Sequence, residues 1–183
     1  MYFGEVYSYT TSCRKGGFNV LIIRSVKKEE QIQQLAELAS QIWNEYFVKI
    51  LSDEQITYMI EKFQSVSAIT KQIQEGYHYY FIINDIEIIG YFGVCKQEDN
   101  TMFLSKLYLV KEQRGKGHAS QVFRFVQEKA LVQGCSSIWL TVNRHNQQAI
   151  AVYEHLGMQR IREQVADIGN GFVMDDFVYR FSL

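Results

Sequence analysis

The chain has 183 residues, of which 47% are hydrophobic and 21% charged; this supplies one sizeable core and excludes a disordered chain. A formal net charge of −1 excludes a general electrostatic affinity for nucleic acid. No apolar run reaches the roughly 20 residues of a membrane span, and no basic stretch followed by an apolar core opens the chain, so a cytoplasmic protein with neither membrane nor nucleic-acid partners is expected.

Cys13, Cys95 and Cys135 are an odd number at no metal-like spacing, which predicts reduced thiols and no metal site. Charge is uneven along the chain. Residues 20–100 carry 12 acids and 7 bases, whereas residues 101–133 carry 6 bases and 2 acids. The division suits an anionic ligand on the second segment and a cationic one on the first, and chance on a solvated surface explains it as well.

Residues 1–19 show no clear periodicity and are read as a flexible arm, with the folded domain spanning 20–183. Residues 20–24 form a strand-like run. Ile32, Leu35, Ala36, Ala39, Ile42, Trp43 and Tyr46 then recur at the 3-and-4 spacing of a helix face. A second helix begins at Ser52 or Asp53, and Ser67 is positioned to cap a third that ends near Gly76. The period changes at Tyr77. Residues 77–83, 88–95 and 102–110 are β-branched and aromatic runs separated by the polar turns Asn84-Asp85 and 97–100, an antiparallel meander. A helix over 117–133, a strand over 137–142 and a helix over 146–156 follow, with Gly134 and Gly157 as helix stops. Strands 158–165 and 172–181 close the chain, joined by a hairpin loop over 167–171.

The segment Gln113-Arg114-Gly115-Lys116-Gly117-His118-Ala119 joins a predicted strand to a predicted helix. Backbone amides at a helix start have no acceptor inside the helix and face outward at the positive end of its dipole. Glycines let a bulky anion approach them, and Arg114 and Lys116 add charge. The loop therefore suits a pyrophosphate. It lacks the P-loop spacing, and the dinucleotide pattern fails at Ser120. Taken alone it is equally a helix-capping turn with no ligand.

The loop has company. Leu107-Tyr108-Leu109 followed by Arg114-x-x-Gly117-x-Ala119 resembles the acetyl-CoA-binding core of the GNAT N-acetyltransferase superfamily. Residues 143–158, Asn143-Arg144-His145-Asn146 through Tyr153 to Gly157-Met158, are similar to its second core motif. The resemblance covers about residues 20–183. It implies a mixed α/β (α+β) fold, a mostly antiparallel sheet of six to seven strands with helices on both faces. It implies acetyl-CoA as acyl donor. Leu107, Tyr108 and Leu109 would lie along the pantetheine arm, their backbone pairing with its amides like an added strand. The amides of Arg114, Gly115, Lys116, Gly117, His118, Ala119 and Ser120 would hold the pyrophosphate, and Asn146 would bond to the pantetheine arm. Tyr153 would sit near the thioester sulfur.

Acetyl transfer to an amine needs a neutral nitrogen, while an alkylammonium has a pKa of about 10. A proton acceptor, an oxyanion donor and an acid for the departing thiolate are therefore required. Tyr153 is assigned the acid role; without the flanking motif it would read as a core tyrosine. Some family members take the base from the third meander strand or the strand after it. Here those strands offer Ser105, Lys106 and Thr141, and a carboxylate is missing at both places. Glu45, Asp175 and Asp176 are the remaining acids considered, each of which also reads as solvated surface. Glu45, Tyr46 and Asp175 are the expected acceptor-binding residues, on a wall suited to a cationic amine. Trp43 and Tyr46 also fall on the apolar helix face, where core packing explains them. His118 and His145 belong to no triad or ligand cluster and are read as loop residues.

The expected reaction is direct acetyl transfer to a primary amine, a small cationic one, within a ternary complex. Transfer to a peptide amine, at a protein N-terminus or lysine, and a non-catalytic acyl-CoA sensor are the alternatives. A homodimer is left open.

Overall fold

The computed structural model of the protein describes residues 6–12 and 18–183. Eight strands and five α-helices are present among them. In chain order they are β1 Val6–Ser12, β2 Phe18–Val26, α1 Glu29–Tyr46, α2 Asp53–Gln64, α3 Val66–Gln74, β3 His78–Asn84, β4 Glu87–Lys96, β5 Thr101–Leu109, α4 His118–Val132, β6 Ser137–Asn143, α5 Gln147–His155, β7 Gln159–Gly169 and β8 Phe172–Ser182. The architecture is the mixed, mostly antiparallel sheet with helices that the sequence predicts. The additional strand is β1. Residues 6–12, read from the sequence as part of an arm, pair antiparallel with β2 from Val6 opposite Arg24 to Ser12 opposite Phe18. The rest of the expected arm lies outside the described residues, as does Cys13.

The chain divides into two compact units. One comprises residues up to Val94 with Lys106–Val122, the other Cys95–Ser105 with Phe123–Leu183. In the first, strands run in the order β1-β2-β3-β4 and then the end of β5; in the second, the start of β5 is followed by β6, β8 and β7. The β5–β6 pair is parallel, while β6–β8 and β8–β7 are antiparallel.

The first unit is built on the apolar stripe of α1. Ile32, Leu35, Ala39 and Ile42 are buried against Ile69 of α3 and against Tyr79, Phe81 and Ile83, which alternate on one face of β3. Tyr80 and Ile82, on the other face of β3, are buried as well, so this strand is covered on both sides. Ser52 caps α2 through a bond from the Gln55 amide. The cap of α3 is Ser65, which accepts from the Ala68 amide, rather than Ser67. Ser65 alone has the extended backbone a cap requires, since Ser67 already lies inside the helix.

Two glycines let β4 meet its neighbours closely. A Cβ on Gly90 would stand 2.2 Å from the Tyr108 carbonyl oxygen, and one on Gly93 would stand 2.9 Å from the Tyr79 ring. Gly90 thus fixes how near β4 comes to the end of β5, and the Val110 amide closes that pair on the Ile89 carbonyl at 2.9 Å.

In the second unit Phe123 of α4 meets Phe181 of β8 edge-on at 5.4 Å, with Val126, Ala130, Ile138, Leu140 and Tyr179 also buried. The β7–β8 hairpin is tighter than the expected loop. Both strands extend to a two-residue turn, Asn170-Gly171, with φ of +56° and +77°. Such positive angles match the twist of the flanking strands, and Asn-Gly is the sequence that tolerates them. Cys95 and Cys135 are buried free thiols.

Candidate active site

The parallel ladder of β5 with β6 comprises Thr101, Met102 and Phe103 paired with Ser137, Ile138 and Trp139. β5 continues to Leu109, so Leu107, Tyr108 and Leu109 lie beyond that ladder, all half-buried. The Tyr108 ring belongs to the core of the first unit, 5.4 Å from Tyr91 and 5.7 Å from Trp43. What Tyr108 offers a ligand is therefore backbone.

A 3-10 turn over Lys111–Gln113 carries the chain into the glycine segment. Gly115 and Gly117 adopt φ of +74° and +84°. A Cβ on either would meet no atom within 4 Å, so backbone angle and not packing calls for glycine here. In α4 the Gln121 amide donates to the Gly117 carbonyl at 3.3 Å. The amides of His118, Ala119 and Ser120 precede that first helical bond and face the opening of the helix. Left-handed glycines leading into unpaired helix amides form the concave donor array that binds phosphate, so the residues present fit a pyrophosphate.

The Arg114 side chain pins this segment. Its Nε donates to the Leu109 carbonyl at 2.9 Å, its Nη2 lies 2.5 Å from Glu45 Oε2, and its guanidinium covers the Tyr46 ring at 4.6 Å. The three sequence-predicted residues Glu45, Tyr46 and Arg114 are thus together, bound to one another. His118 departs from the reading as a loop residue. Its imidazole is buried, neither ring nitrogen has a hydrogen-bond partner among the described residues, and burial followed by the Lys116 charge lowers its pKa.

Lys106 lies on β5 one residue before Leu107. It is buried, with Nζ 2.9 Å from Gln72 Oε1 and 2.5 Å from the Tyr79 hydroxyl. Burial brings its ammonium down to about 7. Sequence reasoning found Lys106 but not its burial, because a lysine on a strand ordinarily turns its ammonium to water.

In the second unit Asn146 caps α5, its Oδ1 accepting from the Ala149 amide at 3.1 Å. Tyr153 is half-buried on the same helix, one turn after the buried Ile150. The loop between β6 and α5 is tied down by Arg144, whose Nε lies 2.7 Å from Asp175 Oδ1 and whose Nη2 lies 2.9 Å from Glu163 Oε2. Asp175 is therefore engaged by a guanidinium. Its neighbour Asp176 is 1% exposed, and its Oδ1 has no hydrogen-bond partner among the described residues. Burial first, then the Asp175 charge, raise its carboxyl to about 6 against the lowering effect of the Thr141 hydroxyl.

Residues 35–158 match the model of the acetyltransferase (GNAT) family. Over 150 residues the chain is 26% identical to an uncharacterized N-acetyltransferase in the pepI 3′ region of Lactobacillus delbrueckii subsp. lactis, covering 78% of this chain and 87% of that one. It is 34% identical over 73 residues to the thialysine N-epsilon-acetyltransferase of Bos taurus, covering 40% of this chain and 43% of that enzyme. The solved structure of the PaiA N-acetyltransferase of Thermoplasma acidophilum in complex with coenzyme A superposes with a TM-score of 0.74 at 20% identity, covering 89% of this chain and 99% of that one.

Proposed function

We infer, from the premise that this chain belongs to the acetyltransferase (GNAT) family, that it moves the acetyl group of acetyl-CoA to the primary amine of a small cationic acceptor. The observation that carries the donor is the turn at Gly115 and Gly117, whose left-handed angles lead into the amides that open α4 and where a Cβ on either glycine would meet no atom within 4 Å. In this reading the amides of residues 114–120 hold the pyrophosphate, and the backbone of Leu107 and Leu109, beyond the β5–β6 ladder, pairs with the pantetheine amides. The coenzyme A bound by the PaiA N-acetyltransferase supports this donor.

The acceptor nitrogen attacks the thioester carbonyl, whose oxygen gains charge and is stabilised by a backbone amide of β5. Collapse breaks the C–S bond, and the Tyr153 hydroxyl protonates the leaving thiolate. The similarity to an enzyme named for thialysine, a lysine-like amine, supports a small cationic acceptor.

The test is CoA release from acetyl-CoA with spermidine, thialysine and an N-terminal peptide as acceptors. Turnover is expected on spermidine or thialysine above the peptide. Tyr153→Phe is expected to lower kcat by about 100-fold or more while acetyl-CoA affinity holds. Calorimetric binding of acetyl-CoA with no release on any amine points instead to a sensor. Peptide-only turnover points to protein acetylation.

A further inference from the structure

We propose that Asp176 takes the proton from the acceptor's ammonium group, a role that rests on the acetyl-transfer reading above. The structure separates the three acids that the sequence leaves equivalent. Glu45 is held by Arg114 at 2.5 Å, and Asp175 by Arg144 at 2.7 Å. Among the described residues no guanidinium pairs with Asp176. It is 1% exposed, and Oδ1 is without a partner among the described residues. A buried carboxylate oxygen left unsatisfied is costly, and a catalytic role is one reason that proteins retain such a group.

Its surroundings suit a group that gains and loses a proton. Across the β6–β8 ladder Asp176 faces Asn143, the last residue of β6, and Thr141 supplies a hydroxyl from the same face. Across the β7–β8 ladder it faces Gln164, with the exposed Arg162 further along that face. On its own strand the nearest charge is Asp175. Asp176 therefore stands where the β6–α5 loop begins, the loop that leads through Asn146 into the helix of Tyr153. Its carboxyl, raised to about 6, is ionised at neutral pH yet protonates readily.

The step balances. The ammonium gives one proton to the Asp176 carboxylate, directly or through one water. The freed lone pair forms the C–N bond as the C–S bond breaks. The thiolate takes the Tyr153 proton, and the surplus proton on nitrogen restores Tyr153. Asp176 then returns its proton to solvent, so each turnover releases one.

Initial rates with acetyl-CoA and spermidine or thialysine, measured from pH 5 to 9, test this. Wild type is expected to show an acidic limb in kcat/KM for the amine. Asp176→Asn should lose that limb and about 100-fold in rate or more, with acetyl-CoA affinity unchanged. Asp175→Asn and Glu45→Gln should keep the limb. Thr141→Val, which removes a hydroxyl that favours the ionised carboxylate, should move the limb to higher pH, a shift that a structural role does not produce. Asp176→Asn with near wild-type rates and the limb intact, or Thr141→Val with the limb unmoved, overturns the role of Asp176 alone. Failure of wild type to release CoA with any amine, despite binding acetyl-CoA, overturns acetyl transfer and this role with it.

Discussion

Arg114 invites a perturbation whose outcome separates two roles. A free guanidinium beside a phosphate loop would act as a charge, whereas the structure shows one already committed on three sides. The contact with Glu45 is weaker than its 2.5 Å distance suggests, because the Glu45 side chain is 40% exposed; such a pair contributes about 0.5–1 kcal/mol. The bond from Nε to the Leu109 carbonyl is charge-assisted and contributes about 1.5–3 kcal/mol. The Tyr46 face adds about 0.5–1 kcal/mol. Arg114→Ala should therefore cost about 2.5–5 kcal/mol in urea unfolding, and Glu45→Gln no more than about 1 kcal/mol. Arg114→Lys keeps the charge but lacks the planar fork that reaches both oxygens, so it should behave more like alanine than like arginine. For acetyl-CoA, measured by calorimetry, Glu45→Gln loosens the guanidinium and is expected to weaken binding roughly 2- to 5-fold. The pinning role of Arg114 is refuted if Glu45→Gln tightens binding, which means that Glu45 was withholding Arg114 from the phosphates. Arg114→Lys at wild-type stability and affinity refutes it equally.

Gly90→Ala drives a Cβ into the Tyr108 carbonyl and should cost about 3 kcal/mol or more. Gly115→Ala meets only backbone strain and should cost about 1–2 kcal/mol, so urea midpoints in the reverse order contradict this account. Lys106 is neutral in the folded state above about pH 7, while the unfolded chain holds that proton to near 10.5. The unfolded state binds more protons across this window, so stability should rise by about 2–3 kcal/mol from pH 7 to 9. Lys106→Met should flatten the rise. Buried His118 has a lowered pKa, so the unfolded state binds the extra proton as pH falls below about 6.5. Wild type should lose stability there relative to His118→Asn, and equal urea midpoints of the two proteins at pH 5.5 and 7.5 contradict it.

Much of this molecule is legible locally. The stripe from Ile32 to Trp43, the glycine stops and the three runs of the meander each depend on a period of 3.6 or 2 within one element. The glycine turn at residues 114–120, which we propose holds the pyrophosphate, is legible as a turn and helix start for the same reason, since strand, glycines and helix start are contiguous. Local rules fail where two neighbouring serines both qualify as caps, and the backbone selects Ser65. They fail at residues 6–12, whose partner is another strand rather than their own sequence, and at the bond from Arg114 to Glu45, which joins residues 69 apart.

The deeper failures share a cause. Lys106, His118 and Asp176 are ionisable and buried, against the pattern that polar residues face water. Periodicity assigns each to a strand or helix start but cannot say what closes over it, because burial is set by elements distant in sequence. Tyr79 on β3 and Gln72 on α3 enclose Lys106. Two strands flank Asp176, and only one of them follows the β6–α5 loop in the chain. Sequences keep such groups against their cost in stability where they perform a task. This is why Glu45, Asp175 and Asp176 looked alike in the sequence, and why burial and guanidinium partners, both tertiary properties, distinguish Asp176 from the other two.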